Sequence, residues 1–346
     1  MSVSEIAIML FTCDSLLEGE GMRQTDKSVS NVPLEFSGDQ VIWATWLYFA
    51  ENKTQNEVAR ELGVSRATIA NYLTEAKKRG MVSVAIAPDL LGNIETGRVL
   101  AKNYGLAHAH VVPTPEVKLN AGQLLRERLG VAAAHVLRRA LQPNSIVGVS
   151  SGRTVLATGQ ALGVSELPNV KVVQVAGSSI SGDNISPEYC TALIAGKLGA
   201  QSINLYAPAI LSSKKLCTEI LNEPSLRGQF RLIEQLDIIL FGVSGIQHDM
   251  QFADSEFVTR EVIQHYIDQH AIGVVLGRFV DSQGRETKGP LEGRIVGMKV
   301  GAMKNVANRI MVAGGADKIS IIRTMLEQGL VTHLITDLKT AEALVS

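Results

Sequence analysis

The 346-residue chain has little cysteine: Cys13, Cys190 and Cys217, an odd number without metal-like spacing. That argues against a disulfide framework or a thiolate metal site and fits a reducing cytoplasm. The seven histidines are scattered, apart from His108 and His110 alternating in one expected strand, so no metal is expected. Net charge is also nearly absent, at −1, so the whole molecule lacks the positive field of a nonspecific nucleic-acid binder. Any affinity for DNA must therefore be local. Long apolar runs are missing too. The run IAIMLF at 6–11 is short, follows no basic region and is closed by Asp14, which argues against a signal peptide or a membrane span. Neither a Walker A lysine loop nor a GxGxxG fingerprint is found, and no cofactor is expected.

What the chain does have is a soluble globular composition, 46% hydrophobic and 19% charged, and a length that suits two or three domains. The most specific stretch is TQNEVARELGVSRATIANYLTEAKKRGMV, residues 54–82. Thr54 can cap a first helix whose Val58, Ala59 and Leu62 share a face, and Gly63 can end it in the left-handed conformation. Ser65 can cap a second helix with Ile69, Leu73 and Ala76 buried. Small Ala59 lets the two helices cross closely. This is the pattern of a helix-turn-helix, although a helical hairpin in a core or at a protein contact uses the same devices. The residues assigned to DNA are Thr54, Gln55 and Ser65 at the helix starts, and Arg66, Ala67, Thr68 and Asn71 on the outer face. Lys77 and Lys78, beside Arg79, either complement the helix dipole or meet phosphates.

Residues 1–37 show no sustained period and read as an extension, with Met22 an alternative start. The segment DQVIWATWLYFAEN then predicts a helix capped by Asp39, with Ile42, Trp46 and Phe49 on one face. MVSVAIAP alternates like a wing strand and stops at Pro88. Residues 38–90 are thus expected to form a winged helix-turn-helix domain. Across 91–346, apolar strand-like runs alternate with amphipathic helices, which predicts a Rossmann-like α/β domain with a largely parallel sheet.

Ligands of such sheets sit at the carboxyl ends of strands, and four expected ends carry suitable groups. In GVSSGRT, Ser150, Ser151, Gly152, Arg153 and Thr154 precede a helix, an arrangement that offers amides and hydroxyls to an anion. FGVSGIQHD offers Gly242, Gly245, Gln247 and His248. LGRFVDSQGR is expected to follow a strand with Arg278 for a phosphate or carboxylate and Asp281 for sugar hydroxyls, or else with a salt bridge and a turn at Gly284. VAGGADK sets Gly314 and Gly315 at a helix start with Lys318 in its first turn. A cation is disfavoured there by the dipole unless an anion or solvent compensates.

In this order, NEVARELGVSRATIANYLTEAKKRGMV, GVSSGRTV, LYAPAIL, GRFVDSQG, VAGGADK and LITDLKTAEAL resemble the SorC family of sugar-binding transcriptional regulators, over residues 38–346. The resemblance implies a DNA-binding domain fused to an effector domain similar to sugar-phosphate isomerases and deaminases. It also implies operator DNA as partner, a phosphorylated sugar or polyol as effector, and a homo-oligomer, commonly a tetramer. The GVSSGRT loop would hold the effector, with Lys318 near its phosphate and Arg278 and Asp281 close by. Ser151 occupies a position that is often tryptophan in the family. The competing reading is an isomerase or deaminase with an accessory helical domain, for which His248 and Asp249 offer no compact acid/base pair. No catalytic residue is therefore assigned.

Overall fold

The structure, a computed structural model, describes residues 32–33, 36–82, 94–115, 120–178, 185–246 and 257–346. The chain divides into two compact units between residues 86 and 87. The extension up to residue 31 and the expected wing strand from residue 83 lie outside the described residues, as do Gln247, His248 and Asp249.

Three helices make up the described first unit: α1 (Gln40–Phe49), α2 (Gln55–Leu62) and α3 (Arg66–Lys78). Each starts on a side-chain cap. The Asp39 carboxylate accepts from the Val41 N–H at 2.8 Å, and the Ser65 hydroxyl accepts from the Thr68 N–H at 3.1 Å. At α2 the cap is reciprocal. The Thr54 hydroxyl accepts from the Glu57 N–H, and the Glu57 carboxylate accepts from the Thr54 N–H at 2.7 Å. That pair satisfies two amides a helix start otherwise leaves open. Gly63 ends α2 at φ 68°. The core is Trp43, Ala44 and Leu47 of α1 against Val58, Ala59, Ile69 and Leu73. The expected face of α1 is therefore rotated: Ile42, Trp46 and Phe49 are only half-buried. Phe36, which precedes the helix, stacks on Trp43 and tilts against Trp46, so the aromatics wrap the rim of the core.

In the second unit the described elements are α4 (Ile94–Tyr104), β1 (His108–Val112), α5 (Ala121–Ala140), β2 (Ile146–Val149), α6 (Arg153–Ala161), β3 (Lys171–Gln174), α7 (Pro187–Leu198) and β4 (Gln201–Ile203). There follow α8 (Lys214–Asn222), α9 (Arg227–Ile233), β5 (Ile238–Phe241), β6 (Val243–Gly245), α10 (Arg260–Asp268), β7 (Ala271–Val275) and β8 (Arg278–Asp281). β9 (Asn308–Val312), α11 (Ile319–Glu327), β10 (His333–Asp337) and α12 (Leu338–Val345) complete the unit, with 3-10 turns at Val300–Asn305 and Ala316–Lys318. Seven strands form one parallel sheet in the order β1-β10-β9-β5-β2-β3-β4.

Alternate residues of the inner strands enter different cores. Ile238 and Leu240 join α5, α6 and α7 on one face, while Ile239 and Phe241 join α4, α11 and α12 on the other. A parallel sheet covered on both faces needs such unbroken apolar strands, and each buried side chain stabilises by about 1.5–3 kcal/mol. Glycines set the closest approaches. A Cβ at Gly130 of α5 would lie 2.6 Å from the Ala157 carbonyl oxygen of α6, so the absence of a side chain fixes how near those helices come.

The run LGRFVDSQGR departs from expectation. Arg278–Asp281 is itself a strand, β8, in a separate three-stranded antiparallel sheet of order β6-β7-β8. The predicted strand SINLYA is also shorter, ending at Ile203, because Leu205 leaves the ladder to donate its N–H to the Gln174 side chain.

Candidate functional site

In the first unit, the reciprocal cap of α2 and the Ser65 cap of α3 hold the turn between the two helices. Arg66, Ala67, Ala70 and Asn71 stand exposed along one side of α3, while Ile69, Leu73 and Ala76 are buried. Thr68 is half-buried, its hydroxyl 2.9 Å from that of Ser65. The Arg66 Nε donates to the Gln55 side chain at 3.4 Å, which links the start of α3 to the start of α2. Tyr72 donates to Gln40 at 2.7 Å and so fixes α3 on α1. The basic end is divided. Arg79 pairs with Glu75 and Asp39 at 2.9 and 3.0 Å, whereas Lys77 and Lys78 are exposed, with no ion pair among the described residues. Arg79 therefore ties α3 to the start of α1, and the two lysines stay solvent-exposed.

In the second unit the strand order reverses between β2 and β5. From β2 the chain continues to β3 and β4 on one side, and from β5 to β9 and β10 on the other. Crevices at such switch points, outside the carboxyl ends, are where ligands of open parallel sheets bind. GVSSGRT leaves β2 at that point. Ser150 is buried and its N–H donates to Leu240 of β5 at 3.1 Å, Ser151 and Gly152 are half-buried, and Arg153 is exposed. Gly152 caps α6 without a side chain, at φ 127°, and a Cβ on it would meet only open space. The first turn of α6 thus presents amides uncovered by any cap, at the positive end of the helix dipole.

The neighbouring loops are tied to this turn. The Thr154 hydroxyl donates to the Val312 carbonyl at the end of β9, 2.9 Å away. A Cβ at Gly242, after β5, would lie 3.0 Å from the same hydroxyl. Thr154 thus braces the start of α6 against β9, its hydroxyl being used in that bond. The Gly314–Gly315 loop after β9 is held from below. The Gly315 N–H donates to Asp337 and to the Thr340 hydroxyl at 3.0 and 2.9 Å. Gly245 serves packing, since a Cβ there would stand 2.5 Å from the Asp317 carbonyl oxygen. Lys318 ends the Ala316–Lys318 turn, half-buried; its N–H donates to the Gly315 carbonyl at 3.0 Å, and its side chain has no hydrogen bond or ion pair among the described residues.

Two assigned effector residues are placed elsewhere. Arg278 is buried in β8, where it donates to the Met298, Ile295 and Gly297 carbonyls and pairs with Glu286 at 3.0 Å. Its donors are consumed in holding the 295–298 segment. Asp281 accepts from the Gln283 and Arg285 N–H groups at 2.8 and 3.0 Å and from the Arg285 side chain, so it closes the turn at Gly284. Of the two readings open for LGRFVDSQGR, the salt bridge and turn describe the geometry.

Two other residues at the carboxyl edge were not assigned to the site from the sequence, although Asp337 lies in LITDLKTAEAL. Asp337, buried at the end of β10, accepts from the Thr114 hydroxyl at 2.9 Å and caps α12 as well as holding Gly315. Glu188 lies in the first turn of α7 with one carboxylate oxygen, Oε2, buried and without a hydrogen-bond partner among the described residues. It acts electrostatically on Cys190, whose sulfur accepts from the Gly152 N–H, so α7 abuts the start of α6. Burial pushes the Cys190 thiol up to about 11, which makes it a packed apolar group and no nucleophile at neutral pH.

Both units have counterparts in known proteins. Residues 89–346 match the family described as "Putative sugar-binding domain". The uncharacterized transcriptional regulator YjhU of Escherichia coli is 30% identical over 93% of this chain and 98% of its own length. The deoxyribonucleoside regulator of Bacillus subtilis is 27% identical over 88% of this chain and 96% of its own. The crystal structure of the full-length sorbitol operon regulator SorC from Klebsiella pneumoniae superposes with a TM-score of 0.74 at 24% identity, covering 88% of this chain and 98% of that one.

Proposed function

The chain belongs to the SorC family of sugar-binding transcriptional regulators, and from that premise we propose that it binds operator DNA under the control of a phosphorylated sugar or polyol. The observation that carries the effector half is the uncapped start of α6 at the β2/β5 switch point, open at Gly152 and braced by Thr154. A phosphate fits there on the amides of residues 153–155, and Lys318, with no ion pair among the described residues, supplies a countercharge. The buried Glu188 oxygen is an acceptor suited to a sugar hydroxyl.

For DNA, α3 is the recognition helix. Arg66, Ala67, Thr68 and Asn71 face base edges, Thr54, Gln55 and Ser65 meet the backbone, and Lys77 and Lys78 meet phosphates. With net charge near zero, a single copy binds weakly, so affinity depends on several copies on paired half-sites. We assign a homo-oligomer, a tetramer of cytoplasmic subunits, to that role. An effector controls it only by binding one arrangement of subunits better than another.

The test is a gel shift on the promoter beside the gene, with Arg66→Ala and Asn71→Ala. Loss of the shift in both is expected, and unchanged affinity in both would remove the assignment of α3. For the effector, thermal shift against a panel of sugar phosphates is expected to show stabilisation by at least one. The isomerase or deaminase alternative is tested on the same panel, where turnover by the purified protein would establish it.

A further inference from the structure

The last helix, α12, is tied at both ends. At its start, the Asp337 carboxylate accepts from the Thr340 N–H at 3.3 Å and from the Gly315 N–H at 3.0 Å, so the cap of the helix also holds the Gly314–Gly315 loop. At its other end a helix leaves carbonyls open. There the Leu344 carbonyl accepts from the Tyr104 hydroxyl at 2.8 Å and from Arg323 Nη1 at 3.4 Å, and the Ala343 carbonyl accepts from Arg323 Nη2. Arg323 Nη1 also donates to the Tyr104 hydroxyl at 3.2 Å. Helices α4, α11 and α12 therefore meet in one hydrogen-bonded cluster.

The donors come from helices that lead in different directions. α11 follows the Ala316–Lys318 turn without a break, and Arg323 lies five residues beyond Lys318, about 7.5 Å along the helix. Tyr104 is the last residue of α4, which is the first described element of the second unit, on the side from which the chain arrives from the three-helix unit. Both side chains are half-buried, and Tyr104 packs against the core that Leu100 of α4 enters. Open carbonyls at a helix end are commonly met by a basic residue of the last turn or by the residues that follow. α12 has no basic residue in its last turn and draws these donors from α4 and α11 instead. The loop that carries Lys318 is thus joined to α4 twice, through Arg323 and through the length of α12.

We propose that Arg323 and Tyr104 are positioning residues that couple the effector loop to α4 and, along the chain, to the DNA-binding unit. A phosphate on Lys318 and the α6 amides displaces the loop and with it the starts of α11 and α12. Both helices end that displacement on Tyr104, because the Arg323 guanidinium bonds the tyrosine and the end of α12 together. Packed helices shift between discrete arrangements rather than deforming smoothly, so α4 takes a different place when the loop is occupied. The inference rests on the effector and operator binding proposed above and names the contacts that connect them.

The test is operator affinity of the full chain by fluorescence anisotropy on the promoter fragment, alone and with glucose 6-phosphate, sorbitol 6-phosphate or ribose 5-phosphate. In the wild type at least one of these is expected to change the dissociation constant about tenfold or more, in either direction. In Tyr104→Phe, which keeps the ring and removes the hydroxyl, and in Arg323→Gln, that factor is expected to fall to about twofold. Calorimetric affinity for the same probe, and operator affinity without it, are expected to stay within about threefold of the wild type. Thr259→Ala, which removes the cap of α10 in a different core, controls for lost stability: it melts lower by circular dichroism and keeps the factor. A factor that survives in either cluster variant, or that is lost from Thr259→Ala as well, overturns the coupling and leaves the effector site standing. If neither these probes nor any other sugar phosphate changes operator binding by the wild type, control by a phosphorylated sugar falls and this inference with it.

Discussion

Asp337 is buried and unpaired by any cation among the described residues, and Gly314 stands against it: a Cβ there would lie 2.5 Å from Oδ2. Removing the carboxylate by Asp337→Ala costs the cap of α12, about 1 kcal/mol. It also leaves the Thr114 and Thr340 hydroxyls without their acceptor, at about 1–3 kcal/mol for each buried group left unsatisfied. The Gly315 N–H keeps the Thr340 hydroxyl, so the total is about 3–7 kcal/mol. Gly314→Ala overpacks the same spot and costs about 1–3 kcal/mol. In the double variant the oxygen is gone and the next neighbour is Leu129 Cδ1 at 3.3 Å, which yields readily. The second substitution then costs less than about 1 kcal/mol, a coupling of roughly 1–2 kcal/mol. Both tryptophans, Trp43 and Trp46, lie in the first unit. Urea unfolding followed by fluorescence therefore reports that unit, while far-UV circular dichroism adds the second. The dichroism transition shifts in the single variants and the fluorescence transition does not. Additive costs, with coupling under about 0.5 kcal/mol, would refute the claim that this carboxylate positions the Gly314–Gly315 loop.

Thr54→Ala breaks the reciprocal cap and lowers the stability of the first unit by about 1 kcal/mol, read in the fluorescence transition, with weaker operator binding. Arg278→Ala takes a donor from three carbonyls and the cation from Glu286 and destabilises the second unit by about 3–5 kcal/mol, whereas Asp281→Ala at an exposed turn costs at most about 1 kcal/mol, both checked by urea unfolding. His333 is held below its ordinary value of 6.5 by burial first and then by His108 and Arg309. The unfolded chain takes up a proton below that pH and the folded chain resists, so a penalty absent above 6.5 grows as pH falls toward the folded value. His333→Asn is expected to flatten the loss of second-unit melting temperature between pH 7 and 5. Cys190 and Cys217 are buried and both thiols are raised by burial, so a thiol reagent at pH 8 modifies neither until urea unfolds the chain.

The caps at Asp39, Thr54 and Ser65 and the turn at Gly63 were legible in the sequence because each is a bond or torsion spanning at most three residues. The alternating strands and helices were legible for a similar reason, since periodicity is local and each strand of a covered parallel sheet must be apolar on both faces. By itself the sequence determined the helix-turn-helix unit, the α/β class and the GVSSGRT loop. Tertiary structure decided the rest. It set the strand order that puts the switch point between β2 and β5, turned α1 so that Trp43 and Leu47 face the core, and spent Arg278 on carbonyls some twenty residues away. It joined Thr114 to Asp337, 223 positions apart, and brought α5 onto α6 at Gly130. The physical reason is one of range. A cap or a period is written in adjacent residues, whereas the fate of a charge depends on which distant groups the packed core brings within a few ångströms of it.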